Sequence, residues 1–361
     1  MVRNRNIDIV RAVALILVLI YHCWVRLGSI QIDNYAVLLI IRLGGEIGVT
    51  AFFVLSGFGI YQSLYYNEQT GKIQYFSYIK KRLKRILPQY YLNLLVALLF
   101  TSAAVYINRV HILNILSHVL LIHNFFPSFA GAINGVLWTM GVTFQFYLLA
   151  VFLYKILNKF GMKCVLLGIV FTVLCKATTF HFFKSYLGVD KFVIYSFWFS
   201  RQLIFTVLDN FLIGMGVAYI TQHFKGISKS WVAVTGCFMS VTLMYFVCKV
   251  GVTYGIHTDN ISGYLWHSEV AICIGCIILF AYYIGGENKN YICKVLLALS
   301  KYEFGIYLWH LLIIDNLMQN SPLIQQWLNF GNYLGVGIIF VAAAIGVGVI
   351  FTKMTNHTIG K

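Results

Sequence analysis

Residues 7–27 read IDIVRAVALILVLIYHCWVRL, a continuous apolar segment that carries Asp8 and Arg11 near its start and His22 near its end. A helix of about 20 apolar residues spans the hydrocarbon core of a bilayer. With a rise of about 1.5 Å per residue, Arg11 and His22 lie roughly 16 Å apart along such a helix. Because ionisable side chains are costly at membrane depth, two interpretations of His22 stay open. It is a functional residue, or it is a neutral histidine hydrogen-bonded within a helix bundle.

The composition of the whole chain indicates a membrane protein. Of its 361 residues, 60% are hydrophobic and only 11% are charged, whereas about a quarter of the residues of a soluble domain are charged. The net charge of +16 is spread over loops between apolar runs, which fits membrane topology and argues against nucleic-acid binding. We therefore expect an all-α, polytopic helical protein of a cell membrane.

Ten apolar segments are predicted to span the membrane, near 8–27, 46–65, 87–107, 136–157, 164–182, 202–222, 231–250, 265–285, 295–315 and 332–352. If the N-terminus is cytoplasmic, 18 of the 27 lysines and arginines fall on the cytoplasmic side, as the positive-inside rule requires. The other nine, among them Lys176 and Arg201, fall in the opposite loops or at span ends. Both termini are then cytoplasmic, Arg11 lies toward the cytoplasm, and His22 lies in the outer half of the membrane. No repeat or linker divides the sequence, so residues 1–361 are predicted to form a single transmembrane domain.

All eight cysteines lie in or beside apolar segments. Cys273 and Cys276 form a C-x-x-C motif in the middle of AICIGCIILF, where small packing residues are expected rather than a redox or metal centre. We predict no disulfide framework, no metal site and no bound cofactor.

The loop before the third predicted span holds the densest group of positive charges. It contains six of the 18 cytoplasmic basic residues, among them Lys80, Lys81, Arg82, Lys84 and Arg85. Arg82 and Arg85 are three residues apart, so on a helix they share a face and can hold a phosphate between two guanidinium groups. The loop is either a topology signal or, as its charge density favours, a binding site for a polyanionic cytoplasmic ligand.

Polar residues recur inside several predicted spans. Ser56 and Gly57 form a small pair in a bulky segment, which allows a helix or a ligand to approach closely. The others are Glu46, Trp138, Thr139, Thr143, Gln145, Tyr147, Asp209, Glu269, Tyr307, His310 and, at a span edge, Asp315. Polar side chains in so many spans predict a hydrated internal cavity, which suits a transporter as well as an enzyme.

Five stretches in order resemble the acyltransferase 3 family of integral membrane acyltransferases. They are NIDIVRAVALILVLIYH (6–22), GVTAFFVLSGF (48–58), KRLKRILPQYY (81–91), LWTMGVTFQFYLL (137–149) and LSKYEFGIYLWH (299–310). Each motif alone has little specificity, but together they span nearly the whole chain.

The resemblance implies transfer of an acyl group, usually acetyl, from acyl-coenzyme A to a cell-surface glycan or a lipid-linked saccharide. It assigns the essential catalytic role to the histidine of the first span, here His22, and a required role to the preceding arginine, here Arg11. It assigns binding of the coenzyme A phosphates to the cytoplasmic R-x-x-R, here Arg82 and Arg85. This agrees with the polyanionic ligand inferred from the charge of the loop. Acetyl-CoA, or succinyl-CoA, is then a co-substrate.

One position departs from the family pattern. Many members carry a glutamate where this chain has Thr143, and an acid is frequent where it has Thr50. A carboxylate beside an imidazole orients the ring and raises its basicity, and threonine carries no such charge. Three interpretations remain: Glu46 or another acid substitutes, the enzyme depends less on that group, or the protein acts in export or translocation of a surface polysaccharide without acylating it.

These assignments define a candidate site. His22 is expected to act as general base on the acceptor hydroxyl, with an acyl-histidine intermediate as the variant. The other expected catalytic residues are Arg11, Thr143 and Tyr147. The expected acyl-CoA contacts are Arg82, Arg85, Lys81 and Ser56, and the expected acceptor or cavity-lining residues are Asp8, Glu46, Trp138, Gln145, Tyr307 and His310.

Overall fold

The structure is a computed structural model, and it describes residues 4–71, 73–99, 109–187, 195–224, 230–284 and 290–359. Within these ranges the chain is helical with short connections, and no β-strand occurs. The prediction of an all-α, polytopic helical membrane protein is confirmed.

Thirteen α-helices occur in the described ranges. They are α1 (Arg5–Arg26), α2 (Tyr35–Gln69), α3 (Tyr75–Leu99), α4 (Arg109–Val119), α5 (Trp138–Phe160), α6 (Met162–Leu187), α7 (Leu208–His223), α8 (Ser230–Tyr254), α9 (Ile261–Tyr283), α10 (Tyr291–Ser300), α11 (Glu303–Asn320), α12 (Pro322–Asn329) and α13 (Tyr333–Ile359). A single turn of 3₁₀ helix at His123–Phe125 follows α4, and two short turns at Trp198–Gln202 and Ile204–Thr206 precede α7.

Seven of these helices are long and apolar enough to cross a membrane: α1, α2, α5, α6, α8, α9 and α13. The pair α10 and α11, bent by 78°, is an eighth candidate, so eight of the ten predicted spans have a counterpart. The predicted span near 87–107 begins in α3 and continues into residues outside the described ranges. The one near 202–222 corresponds to α7, which has 16 residues. The total of ten spans and the cytoplasmic position of both termini stay predictions.

The helices group into two compact units. The first consists of Met1–Arg11, Val49–Ile79 and Val142–Lys294, and the second of Ala12–Gly48, Lys80–Gly141 and Val295–Lys361. Helices α1, α2, α3, α5 and α10 each contribute residues to both units. That all 361 residues form a single domain stays a prediction.

In the first unit, α2 and α7 pack with their backbones close together. A side chain at Gly57 would collide with the backbone carbonyl of Phe211, and one at Gly214 would collide with that of Val54. The ring of Phe211 also stacks on Phe146 of α5, with centroids 3.6 Å apart. Gly57 therefore allows a helix to approach closely, which is one of the two uses that the sequence predicted for it.

In the second unit, α2 packs closely against α1. A side chain at Gly44 would collide with the backbone carbonyl of Leu17. The sequence predicted a span near 46–65, whereas α2 is one helix of 35 residues that begins at Tyr35. Helix continues through the glycines because close packing against α1 offsets their low helix propensity.

An apolar cluster fixes α11 of the second unit to its neighbours α1, α12 and α13. Its buried members are Cys23, Ile314, Ile324, Val336 and Phe340. Cys23 directly follows His22 in the sequence, so the cluster also sets the rotation of α1 at the predicted catalytic residue.

Candidate active site

Two histidines face each other between α1 and α11 in the second unit. The ring centroids of His22 and His310 lie 5.0 Å apart, and the ring planes are tilted by 47°. His310 is fully buried, whereas His22 is half-buried. The structure therefore brings together the predicted catalytic histidine and a histidine that the sequence placed only in a cavity lining.

An ion pair farther along the same two helices stabilises this arrangement. The guanidinium group of Arg26 donates through Nε and Nη2 to the carboxylate of Asp315, with 3.1 Å between Nη2 and Oδ2. Arg26 follows His22 by four residues, and Asp315 follows His310 by five, which is about one helical turn in each case. The ion pair thus holds α1 and α11 in the register that places the two imidazoles side by side.

The backbone around His310 selects the tautomer of its ring. Nδ1 lies 2.6 Å from the carbonyl oxygen of Tyr307. A carbonyl oxygen only accepts hydrogen bonds, so Nδ1 carries the proton and Nε2 has the lone pair. This buried Nε2 has no hydrogen-bond partner within the described part of the chain. His310 therefore presents an unoccupied acceptor in the region of His22.

Hydrogen bonds hold the residues next to His310 in place. The hydroxyl of Tyr307 donates to Thr139 Oγ1 over 3.1 Å, and Thr139 donates to the carbonyl of Val136 over 2.8 Å. Trp138, at the start of α5, is also buried. Tyr307 and His310 therefore belong to a network that reaches the start of α5.

Glu46 lies on α2 and is half-buried. Its charge acts on the hydroxyl of Tyr21. The ring of Tyr21 contacts that of His22 edge-on, with centroids 4.9 Å apart. Glu46 is therefore within electrostatic range of a neighbour of His22, but the hypothesis that it replaces the missing family acid stays a prediction.

The basic residues predicted to bind acyl-CoA lie on α3, in the second unit. Because α3 is continuous from Tyr75 to Leu99, Arg82 and Arg85 share a helix face, as the spacing predicted. Lys81 and Arg85 are exposed, and Arg82 is half-buried. Their exposure leaves them accessible to a water-soluble ligand, and phosphate binding stays a prediction.

Arg11 and Asp8 lie on the first turns of α1, in the first unit. Arg11 Nη1 is 3.7 Å from Asp8 Oδ1, and only 3% of the surface of Asp8 is exposed. The guanidinium group packs over Gly59 of α2, where a Cβ would lie 3.5 Å from Nη2. The predicted catalytic role of Arg11 and the predicted cavity-lining role of Asp8 stay predictions.

Four further predicted site residues lie in the first unit. Thr143 and Tyr147 are four residues apart on α5 and share a helix face. Thr143 is half-buried, Tyr147 and Gln145 are buried, and Ser56 of α2 is half-buried. The roles of these residues, including any effect of Thr143 on His22, stay predictions.

In the first unit, Asp209, which the sequence placed inside a span, has two cationic neighbours that the sequence did not predict. Asp209 of α7 accepts a hydrogen bond of 2.5 Å from Ser268 Oγ and one of 2.9 Å from the backbone N–H of Asn210. Lys176 and Arg201 both attract its carboxylate. All three charged side chains are almost completely buried.

The sequence placed Lys176 and Arg201 at loops or span ends, and this was wrong. Lys176 lies inside α6 and is fully buried, and Arg201, in the turn Trp198–Gln202, is 1% exposed. Arg201 Nη1 donates to Thr50 Oγ1 over 2.9 Å. Both cations are tolerated inside the unit because a carboxylate and hydroxyl groups offset part of their desolvation. The position of Lys176 in the middle of the apolar run VLCKATTF was the feature of the sequence that could have predicted its burial.

Known proteins are similar to this chain over most of its length. A family model described as an acyltransferase domain matches residues 4–353. The O-acetyltransferase OatA of Staphylococcus aureus, in strain NCTC 8325 / PS 47 and in strain COL, is 26% identical over 344 residues, which cover 86% of this chain and 50% of OatA. ORF330 of Acidianus two-tailed virus is 26% identical over 313 residues, which cover 84% of this chain and 81% of that protein. The chain thus spans about half the length of OatA, and no solved structure matches it significantly.

The matched region runs from α1 to α13 and includes every motif that the sequence resemblance used. It contains His22, the pair Arg82 and Arg85, and His310. The chain therefore belongs to the acyltransferase 3 family.

Proposed function

We propose that this protein is an O-acyltransferase that moves acetyl from cytoplasmic acetyl-CoA to a hydroxyl of a cell-surface polysaccharide or its lipid-linked precursor. The observation that carries the proposal is the half-buried imidazole of His22, held against that of His310 by the Arg26–Asp315 ion pair. An imidazole in such a position can exchange a proton with a reacting hydroxyl. Family membership and the similarity to OatA support acyl transfer to oxygen.

In the proposed reaction, one proton passes from the acceptor hydroxyl to His22 and then from His22 to the leaving thiolate. The acceptor oxygen attacks the thioester carbonyl and forms a C–O bond, while His22 takes the hydroxyl proton. The tetrahedral intermediate then expels the coenzyme A thiolate by breaking the C–S bond, and the thiolate takes the proton from His22. In the acyl-histidine variant, an imidazole nitrogen attacks the thioester carbonyl, the C–S bond breaks, and the thiolate leaves with the proton of the other ring nitrogen. The acceptor oxygen then attacks the acyl carbonyl, the C–N bond breaks, and the hydroxyl proton returns to the imidazole.

The donor is proposed to bind through its phosphates at α3. Arg82 and Arg85 share a helix face, and Lys81 adds a third positive charge beside them. Guanidinium groups bind phosphate oxygens in bidentate fashion, which suits the diphosphate and the ribose phosphate of coenzyme A. The flexible pantetheine arm would carry the thioester toward His22.

Thr143 favours a second candidate function. Without a carboxylate at this position, the chain could act in export or translocation of a surface polysaccharide and carry out no acyl transfer. The two functions differ in whether acetyl-CoA binds. Acetyl-CoA should raise the melting temperature of the purified enzyme, whereas an exporter without the donor site should show no shift. Mass analysis of surface polysaccharide from wild-type and deletion cells supplies the second criterion. Deletion of the gene should remove acyl groups from the polysaccharide only if the protein is the acyltransferase.

The experiment that tests the proposal uses purified protein in lipid nanodiscs. We expect His22→Ala to lower acetyl-CoA turnover by about a thousandfold or more, because the general base is lost. The acetyl-CoA-induced rise in melting temperature should persist, since the donor binds elsewhere. Arg82→Ala should reduce that rise, whereas Lys155→Ala, an exposed basic control on α5, should leave both measurements unchanged. Normal acylation of the surface glycan in His22→Ala cells would overturn the assignment of the base.

A further inference from the structure

We propose that His310 is the positioning residue of His22. The inference rests on the proposed function, because it concerns the same base. In the reacting enzyme, the unprotonated Nε2 of His310, which has no hydrogen-bond partner among the described residues, accepts a hydrogen bond from one ring N–H of His22. The other ring nitrogen of His22 then has the lone pair that takes the proton of the acceptor hydroxyl.

A hydrogen bond within α11 fixes the tautomer that His310 needs for this role. Its Nδ1–H is committed to the carbonyl of Tyr307, at 2.6 Å, so its Nε2 can only accept. This nitrogen is buried without a partner in the described ranges, although buried acceptors are normally hydrogen-bonded. The ring of His22 is in contact with that of His310 and can supply the missing donor.

Two other polar groups near the pair have partners of their own. The carboxylate of Asp315 accepts two hydrogen bonds from Arg26, and the hydroxyl of Tyr307 donates to Thr139. His310 thus offers His22 an acceptor that these groups do not use. A neutral imidazole then performs the orienting task that a carboxylate performs in many acid–base pairs, which is consistent with the family glutamate being replaced by threonine in this chain.

The proton balance of the reaction is unchanged. When His22 takes the hydroxyl proton it becomes an imidazolium, and its hydrogen bond to His310 Nε2 becomes charge-assisted and stronger. His310 keeps its own proton on Nδ1 throughout. When the thiolate leaves, it takes the proton from His22, and both rings return to their starting tautomers.

Two variants of similar size separate this role from packing. His310→Gln keeps an acceptor oxygen near the position of Nε2, and His310→Met fills the space without a strong acceptor. We expect His310→Met to lower kcat by about a hundredfold with little change in KM for acetyl-CoA. His310→Gln should recover roughly tenfold of that loss. Equal activity of the two variants at equal melting temperature would show that His310 only packs, and would overturn the proposal.

A double substitution separates the failure of this inference from that of the proposed function. If His310 acts through His22, the variant His22→Ala/His310→Met should be no less active than His22→Ala alone. If His22→Ala is inactive and His310→Met is fully active, the positioning role fails while the base assignment stands. If His22→Ala itself is active, the proposed function fails first.

A measurement on the wild-type protein covers the case in which neither His310 variant folds. Nitrogen-15 solid-state spectra of histidine-labelled protein should show one ring with a protonated Nδ1 and a hydrogen-bonded, unprotonated Nε2. The Nε2 signal should change in His22→Ala. An unchanged signal would show that His22 does not donate to this nitrogen.

Discussion

Each compact unit buries a small group of polar side chains, and the two groups differ in what they leave available. In the first unit, Asp209 receives hydrogen bonds from Ser268 and from the backbone N–H of Asn210, and it attracts Lys176 and Arg201. In the second unit, His22 contacts His310, whose Nε2 has no partner among the described residues. In the first group, charges of opposite sign attract one another, whereas in the second the lone pair of a neutral imidazole nitrogen is unused.

This difference indicates which buried polar group supports the fold and which can support chemistry. A buried charge whose partners are all protein groups contributes to stability only while the group is complete, because removal of one member leaves the others desolvated. A neutral imidazole without a donor costs less to bury and can exchange protons. We therefore expect substitutions in the first group to lower stability and substitutions in the second to lower turnover.

The largest expected effect on stability is that of Asp209→Ala. Lys176 and Arg201 lose the carboxylate that offsets their burial, and the loss of one member of a buried ion pair typically costs about 3–5 kcal/mol. The melting temperature of the purified protein should fall strongly, or the protein should fail to accumulate in the membrane. Turnover per folded molecule should stay close to the wild-type value.

Two further observations test this interpretation of the first unit. The double variant Lys176→Met/Asp209→Leu removes a cation together with the anion, so it should be more stable than Asp209→Ala. Ser268→Ala removes one hydrogen bond to a charged group and should cost less, about 1.5–3 kcal/mol. A stable but inactive Asp209→Ala protein would contradict the structural role and would indicate that Asp209 has a role in function.

A smaller effect, on turnover, is expected from the ion pair beside the two histidines. Arg26→Ala or Asp315→Ala removes the contact that sets the register of α1 against α11, and we expect kcat to fall by about tenfold, or about 1.4 kcal/mol. Steady-state kinetics with acetyl-CoA measure this change. The charge exchange Arg26→Asp/Asp315→Arg should recover part of the loss, because the pair can form again in the opposite sense.

A double-mutant cycle provides the control for this pair. If Arg26 and Asp315 act together, Arg26→Ala/Asp315→Ala should lose about as much activity as either single variant. Strictly additive losses would mean that the two side chains act separately and that the ion pair does not position the histidines.

The sequence predicted much of the fold and the outline of the site. Long apolar runs predicted α1, α5, α6, α8, α9 and α13. The family motifs singled out His22, and the polar residues inside the spans included His310. The contact between these two histidines was not predictable, because it depends on the packing of helices far apart in the chain. The 78° bend between α10 and α11 has no proline as a sequence signal, so the segment resembled one continuous span.

The burial of Lys176 and Arg201 shows a second limit of sequence patterns. Charge counts assign basic residues to one side of the membrane, but they do not show whether a cation near a span faces water or a carboxylate. Asp209 was recognised as an intramembrane acid, and its cationic partners were not, because α6, α7 and the turn Trp198–Gln202 meet only in three dimensions.

The smallest effect is expected at an ion pair that water can reach. Lys184, which is exposed, donates to Asp259 Oδ2 over 3.0 Å, and Tyr264 donates to Oδ1. Burial by itself raises the pKa of Asp259, but the hydrogen bonds from Tyr264 and Lys184 lower the pKa below its ordinary value of 3.8. Exposed ion pairs contribute about 0.2–1 kcal/mol, so Lys184→Met should change the melting temperature only slightly.

The pH dependence of this pair has a definite sign. Because the pKa of Asp259 is lower in the folded protein than in the unfolded chain, the pair stabilises the fold above pH 3.8, and the stabilisation is lost as the pH falls through the lowered pKa. The melting temperatures of wild type and Asp259→Asn should therefore differ most near neutral pH and converge in acid. High salt should also reduce the difference, since water and ions screen this pair. If Asp259→Asn lowered the melting temperature as much as Asp209→Ala does, and independently of salt, Asp259 would act as a buried charge like Asp209 and not as part of an exposed ion pair.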